Sequence, residues 1–366
     1  MNHSAPRLAS LARLTSLGGV LAFLLAAPTA SAQVLFEDDF ENGLGAWTAT
    51  GLWRIELESD PCGSSFLPFP SGDACARCGS PTSCNHFPLG GQGNLTTPTV
   101  AIPPLDGLRR PVVRYLYRYD ISEFDKGWDC ASIRVGATVL GEVWCSEDSG
   151  QTAYPPLATW GVGTRDLSAY AGQSIGVTFQ FEADTFHNAG PGFLIDDVWL
   201  GLVAGTPFCG ADTNSFPTPP ICPCLVSYDP RPTDDLGGCI NSRGVRGDLF
   251  AEGLPSIASD SVAIHVAGIK ANTTALLVQG TPSATGFTFG DGAWCLGIPI
   301  RRLLFQQAVQ GKLRFPGPGQ ASLSVLGGVT PGQTVGYQVY YRDQSPTHCT
   351  PDRWNVTNGF EVTWAP

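Results

Sequence analysis

Charge is scarce in this chain. Asp, Glu, Lys and Arg make up 14% of its 366 residues, and acids outnumber bases 32 to 21. An acidic chain repels a phosphate backbone, so nucleic acid is a poor partner. There is no His-Glu-x-x-His run, which excludes a zinc peptidase of that design. A phosphate-cradling glycine loop is missing too: Gly311-Lys312 lacks both the upstream glycine and the following hydroxyl. Beyond Ala27 no apolar run reaches the length of about 20 residues that a membrane-spanning helix takes, so no membrane insertion of the mature chain is expected. No pair of carboxylates stands out for glycoside cleavage, because their separation is set by the fold.

The chain opens with what reads as a secretory signal over residues 1–32. Arg7 and Arg13 make a positive start without acids, Leu17 to Ala27 is apolar, and Ala30-Ser31-Ala32 offers small residues for cleavage before Gln33. Losing it would take the formal net charge from −11 to −13. The protein is therefore expected to be secreted. All 12 cysteines follow this leader. Cys62, Cys75, Cys78, Cys84, Cys130 and Cys145 lie in the first half, and Cys209, Cys222, Cys224, Cys239, Cys295 and Cys349 in the second. In an oxidising compartment they should pair within each half. The expected bridges are Cys130–Cys145, which would flank one hairpin, Cys224–Cys239 and Cys295–Cys349. Cys75-x2-Cys78-x5-Cys84-x-His86 also has the spacing of a Cys3His zinc site, a competing use of the same sulfurs.

Alternation with period two dominates the remainder. Ile175, Val177, Phe179 and Phe181 alternate with Gly176, Thr178, Gln180 and Glu182, the pattern of a half-buried strand. In residues 113–119 tyrosines take one face and arginines the other. The same parity recurs in Val262-Ile264-Val266, Tyr337-Val339-Tyr341 and Phe360-Val362-Trp364. With 44 glycines and 30 prolines, many short strands and turns are favoured over helices. One short helix is expected, around Ile300 to Gln310. The fold class is all-β: an N-terminal jelly-roll β-sandwich over residues 33–203, a Pro- and Cys-rich stretch over 204–236 that links to and begins the second module, and a disulfide-rich, sandwich-like β-domain over 237–366.

Three stretches carry a family likeness. Phe36-Glu37-Asp38-Asp39-Phe40-Glu41-Asn42-Gly43 with Trp47, Asp166-Leu167-Ser168-Ala169-Tyr170-Ala171-Gly172-Gln173 with the strand after it, and Gly192-Phe193-Leu194-Ile195-Asp196-Asp197-Val198-Trp199 resemble the first strand, penultimate region and closing strand of MAM-like domains. Residues 35–202 thus resemble a jelly roll of extracellular adhesion proteins, also found beside secreted hydrolases. The segment from Cys62 to Cys84 departs from the common pattern. Residues 209–366 resemble an uncharacterised C-terminal module of secreted bacterial proteins. The matching pieces include Cys222-Pro223-Cys224, Gly238-Cys239-Ile240-Asn241-Ser242, Phe289-Gly290-Asp291-Gly292 with Cys295, Tyr337 to Asp343, and Asn355 to Gly359 with Trp364.

Candidate chemistry is sparse. If the first and last strands of the jelly roll adjoin, Glu37, Asp39 and Glu41 meet Asp196 and Asp197. Like charges gathered so need a cation, and a hard ion with six to eight oxygen ligands suits them. The MAM-like resemblance implies a structural ion, so calcium is the one expected cofactor. Gly172-Gln173-Ser174-Ile175-Gly176 matches a nucleophile elbow, but a turn precedes it and a strand follows it. Arg246-Gly247-Asp248 matches an integrin-recognition tripeptide. Trp47, Trp199 and Trp364 sit in strand patterns and belong in the core, whereas Trp53, Trp128, Trp144 and Trp160 lie nearer loops, where exposed aromatic faces would stack on sugars.

The expectation is a secreted protein without catalytic residues, engaged in adhesion or glycan binding, its partner an extracellular glycan or a cell-surface protein. A structural role in the cell envelope and an unrecognised secreted hydrolase are the alternatives.

Overall fold

The computed structural model describes residues 34–63, 68–86, 91–120, 129–141, 144–145, 160–184, 190–209, 222–223, 237–345 and 350–366. The expected leader, Trp128, Cys224 and Cys349 lie outside the described residues, as does the side chain of Trp144.

The chain is almost entirely β. Its principal strands are β1 (Val34–Asp38), β2 (Trp53–Leu57), β3 (Ala74–Cys78), β4 (Gly91–Thr96), β5 (Arg110–Asp120), β6 (Cys130–Val135), β7 (Gly161–Asp166), β8 (Val177–Ala183) and β9 (Gly192–Val203) in the first half. The second half contributes β10 (Thr206–Cys209), β11 (Asp248–Glu252), β12 (Ala263–Ala267), β13 (Thr274–Phe289), β14 (Gly292–Gln307), β15 (Leu313–Phe315), β16 (Thr334–Arg342), β17 (Trp354–Val356) and β18 (Gly359–Thr363). Among the described residues there is one α-helix, α1 (Leu323–Gly327), which stops where Gly328 takes a left-handed conformation at φ 57°.

In the first half, β8 pairs with β4 and β6, and this layer faces a sheet built on β5 and β9. The expected alternation holds for the apolar face, where Val177, Phe179 and Phe181 are buried; on the other face Glu182 is exposed but Gln180 is buried, its amide donating to Asn94 Oδ1 at 3.1 Å. The three apolar side chains meet Val113, Tyr115 and Tyr117 of β5 in one core, where the Tyr115 and Phe179 rings pack edge to face at 5.0 Å. The second half closes a separate core. Tyr337, Val339 and Tyr341 of β16, with Phe360, Val362 and Trp364, pack against Leu249 and Ala251 of β11 and Ile264 and Val266 of β12.

The halves are joined through the larger sheet, which runs β7-β5-β9-β11-β12-β15. The outer face of β5 therefore does not meet water as its arginines suggest. Arg114 and Arg118 are 3% and 7% exposed, because second-half residues and loops cover that face. Arg114 forms an ion pair with Asp248 of β11.

Two expectations are corrected. Residues 300–310 are not a helix: residues up to Gln307 belong to β14, in register with β13 from Thr274↔Gln307 onward. Leu303, Leu304 and the neighbouring glutamines favour a helix locally, but cross-strand pairing over a 16-residue hairpin outweighs that weak preference. The disulfides also differ. Cys130–Cys145 forms as expected, but Cys239 pairs with Cys222 in place of Cys224, and Cys295 pairs with Cys209 in place of Cys349. The sheet decides the latter: β10 adds beside β18 and brings Cys209 to a Cα separation of 6.2 Å from Cys295, within bridging reach. The fourth bridge is Cys62–Cys84, and Cys75 and Cys78 remain free thiols, so full pairing does not hold.

Candidate functional site

The register of β1 against β9, with Glu37 opposite Trp199 and Asp38 opposite Val198, brings the two acidic segments together as expected. A bulge in the β9–β5 pairing lies between Asp196 and Trp199, and Asp197 takes φ 48° there. The five acids then separate in role. Asp38, not itself expected to act, accepts from Trp47 Nε1 at 2.9 Å. Glu37 is exposed and lies at the edge of the cleft described below. Glu41 turns aside, its Oε1 accepting the backbone N–H groups of Asp73 and Ala74, each at 2.9 Å. Asp39, Asp196 and Asp197 form the corner proper.

That corner already holds a cation. Lys312 Nζ lies 3.0 Å from Asp39 Oδ2 and 2.5 Å from Asp197 Oδ1. Ser71 Oγ donates to the same Asp197 oxygen at 2.7 Å. Asp196 is fully buried; its Oδ1 accepts the Asp197 N–H at 2.7 Å, and its Oδ2 has no hydrogen-bond partner. Burial and the adjacent Asp197 push the Asp196 carboxyl well above the usual carboxylate range. Burial also raises Asp39, but the Lys312 contact outweighs it and holds Asp39 below its ordinary value. A calcium ion needs six to eight oxygens at 2.3–2.6 Å. Among the described residues no group of three or more His, Cys, Asp or Glu side chains is placed to hold a metal. The donor set does not fit a calcium site, because an ammonium stands between the Asp39 and Asp197 carboxylates.

Beside this corner, where the large sheet passes between the halves, is a cleft of about 540 Å³. Its charged walls are internally paired. Arg114 grips the Asp248 carboxylate through Nε and Nη2 and lies 4.9 Å from the Phe250 ring centroid. Arg314 donates to Glu252 Oε1 at 3.1 and 2.8 Å, and His265 Nε2 lies 2.8 Å from that oxygen. Phe250 is itself covered, with the His265 ring stacked on it at 5.0 Å and Trp199 at 4.6 Å.

A different surface presents aromatic rings. On the β13–β14–β16–β17 sheet, Phe289 packs against Trp294, Tyr340 and Trp354 at centroid distances of 5.2, 6.0 and 6.1 Å, and Tyr340 meets Trp354 at 6.4 Å. All four side chains are half-buried, so each keeps some area in solvent. Trp294 is anchored by its indole N–H, which donates to the Leu296 carbonyl at 2.7 Å. Arg342, the register partner of Trp354, is exposed, as are Thr288, Asp352 and Arg353. Hydrogen-bonding groups thus rim an apolar patch.

Of the loop tryptophans expected to offer such faces, the two whose side chains are described do not: Trp53 and Trp160 are 6% and 1% exposed. Sequence reasoning passed over the rings that do. The available signal was Tyr340, an aromatic at the outward parity of the Tyr337-Val339-Tyr341 strand. Other motifs dissolve. Arg246 and Asp248 are buried, so no integrin tripeptide is displayed. Ser174 lies in a two-residue strand. Cys84 is in a disulfide and His86 bonds Asp129 at 2.6 Å, so no Cys3His set assembles.

No family model matches the chain, and no curated protein does. Among solved structures it is loosely similar to a xylan-binding CBM22-1 domain from Paenibacillus barcinonensis Xyn10C, at 13% identity and TM-score 0.26 over 47% of this chain and 96% of that one. A family 35 carbohydrate binding module from Clostridium thermocellum is similar at 13% identity and TM-score 0.24, over 45% and 95%. The tandem CBM22-1-CBM22-2 domain of the Paenibacillus protein gives 10% identity and TM-score 0.27, over 92% and 99%.

Proposed function

We propose that the protein is a secreted, non-catalytic glycan-binding protein whose contact surface is the aromatic face of Phe289, Trp294, Tyr340 and Trp354. The observation that carries this reading is the gathering of four partly exposed rings on one sheet face with polar side chains at their edge. A pyranose ring has an apolar C–H face and a rim of hydroxyls. Flat aromatic surface matches the first, and Arg342, Thr288 and Asp352 supply donors and acceptors for the second.

Two observations support the absence of catalysis. The carboxylates Asp39, Asp197, Asp248 and Glu252 are each held by Lys312, Arg114 or Arg314, which leaves none of them a free acid or base. Among the described residues, no nucleophile–base pair lines the cleft. Secretion is supported by the four disulfides, which persist in oxidising compartments. No helix among the described residues is long and apolar enough to cross a membrane.

The test is a glycan array and polysaccharide pull-down with the native chain and with Trp294→Ala and Tyr340→Ala variants. Binding to at least one glycan, lost in both variants, is the expected result. Binding that survives both substitutions places the contact elsewhere, and an array blank at high protein concentration ends the reading.

A further inference from the structure

We infer that Lys312 is a tethered counter-ion that takes the place of a structural metal at the Asp39–Asp196–Asp197 corner and so clamps the second half of the chain onto the first.

The route by which Lys312 arrives is built into the backbone. Val309 and Lys312 exchange backbone hydrogen bonds of 3.1 and 2.9 Å around Gln310-Gly311. Both central residues have positive φ, 50° and 81°, the signature of a tight type I′ hairpin. Gly311 is held between the two halves: a Cβ there would stand 2.6 Å from the carbonyl oxygen of Ile269 in the second half and 3.1 Å from that of Pro70 in the first. Pro70 precedes Ser71, which bonds Asp197. The turn therefore docks next to the corner, and Lys312 enters it from a residue 273 positions away from Asp39. The chain has only three lysines, Lys126, Lys270 and Lys312, so a lysine here is not drawn from an abundant surface population.

The charges around the corner make the same case. The Asp39 and Asp197 carboxylates face each other across the ammonium, with the Asp196 carboxyl fully buried beside them, its Oδ2 unpartnered. Left alone they would repel, and the site would need an ion from solution. The second half supplies two cations instead. Lys312 bonds Asp39 and Asp197 directly, and Arg243, fixed by an Nη2 hydrogen bond to the Phe69 carbonyl at 2.7 Å, interacts electrostatically with Asp196 and Asp197. A covalently attached ammonium has no dissociation equilibrium with the medium, so the joint holds at any calcium concentration.

The chemistry predicts a gain of metal response when the tether is cut. Thermal unfolding and titration calorimetry are run on the full chain, on Lys312→Met, which keeps most of the stem, and on Lys312→Met/Asp197→Asn, each with calcium chloride, with matched sodium chloride, and with chelator. The native chain should show no melting shift with calcium or chelator. Lys312→Met should melt lower and recover by ~5 °C in calcium at saturating concentration. The double variant should recover nothing. A native chain that binds one calcium ion and loses melting temperature in chelator overturns the inference, and does so even if the variants fail to fold. A folded Lys312→Met protein indifferent to calcium also overturns it, since the vacated corner would then not be a cation site.

Discussion

Val203 is the antiparallel partner of Glu252, and this single register pair joins β9 to β11. One residue later the Ala204 N–H bonds the Ala251 carbonyl at 2.8 Å, and Gly205, at φ 104°, turns the chain out of that sheet into β10 of the next. The chain thus crosses between the halves at the same place where β9 and β11 pair. A Cβ on Gly205 would stand 2.0 Å from the Glu361 carbonyl oxygen. Gly205→Ala should therefore cost about 3 kcal/mol or more, from strain and clash together. Gly172→Ala is the control: it also has positive φ, but open space around it, and should cost only ~1 kcal/mol. Urea unfolding of both variants checks the order, and equal losses would refute the seam argument.

Glu252 should contribute stability that disappears in acid. Burial pushes its pKa up, but the contacts with His265 and Arg314 more than reverse this, so it lies below its ordinary 4.5. A carboxylate with a depressed folded pKa stabilises fully above the unfolded value and loses that contribution as pH falls through the folded one. Glu252→Gln should thus cost about 1 kcal/mol at pH 7, a modest figure because Arg314 is half exposed, and less at pH 3. Denaturant curves at the two pH values decide this; a gap that widens in acid would reverse the sign.

The free thiols should be inert. Cys75 and Cys78 are both fully buried, and burial raises each thiol, Cys78 to about 12. Thiolate is the reactive form. Iodoacetamide at pH 8 should leave both unmodified in the native protein and alkylate both once guanidinium has unfolded it, as read by peptide mass mapping. Rapid native labelling of either would contradict their burial.

The bridges should differ in weight. Cys209–Cys295 closes a loop of 86 residues and Cys130–Cys145 one of 15. On chain-entropy grounds, replacing both cysteines by serine should cost about 4–5 kcal/mol for the first and ~3 for the second. Comparison of the two double variants by equilibrium unfolding tests the ranking.

Tryptophan truncations should separate binding from folding. Trp160 is 1% exposed and its indole N–H bonds the Pro68 carbonyl at 3.0 Å, so Trp160→Ala should cost about 3–5 kcal/mol. Trp294→Ala, on a half-exposed ring, should cost less than half of that while abolishing glycan retention. A Trp294 variant as damaged as the Trp160 one would make that ring part of the core.

Local pattern was legible in the linear chain wherever one residue's neighbours two positions away decide its face. The parity of Val177-Phe179-Phe181 and of Tyr337-Val339-Tyr341 specified strands with one buried side, and the all-β class followed from many such runs between glycines and prolines. The meeting of the Glu37–Glu41 and Asp196–Asp197 segments was legible too, from the expectation that the first and last strands of a jelly roll adjoin. Everything that depended on partners far along the chain was decided by tertiary structure. Residues 300–307 became strand because β13 lay alongside, against their own helical preference. Cys295 chose Cys209 because β10 joined its sheet. Arg114 was buried because Asp248 arrived from the second half. Lys312 reached the acids only because a two-residue turn is wedged against Pro70. The physical reason is common to all four. Period-two burial is a property of adjacent residues, whereas sulfur pairing and charge neutralisation are set by distances in space, which one-dimensional spacing does not contain.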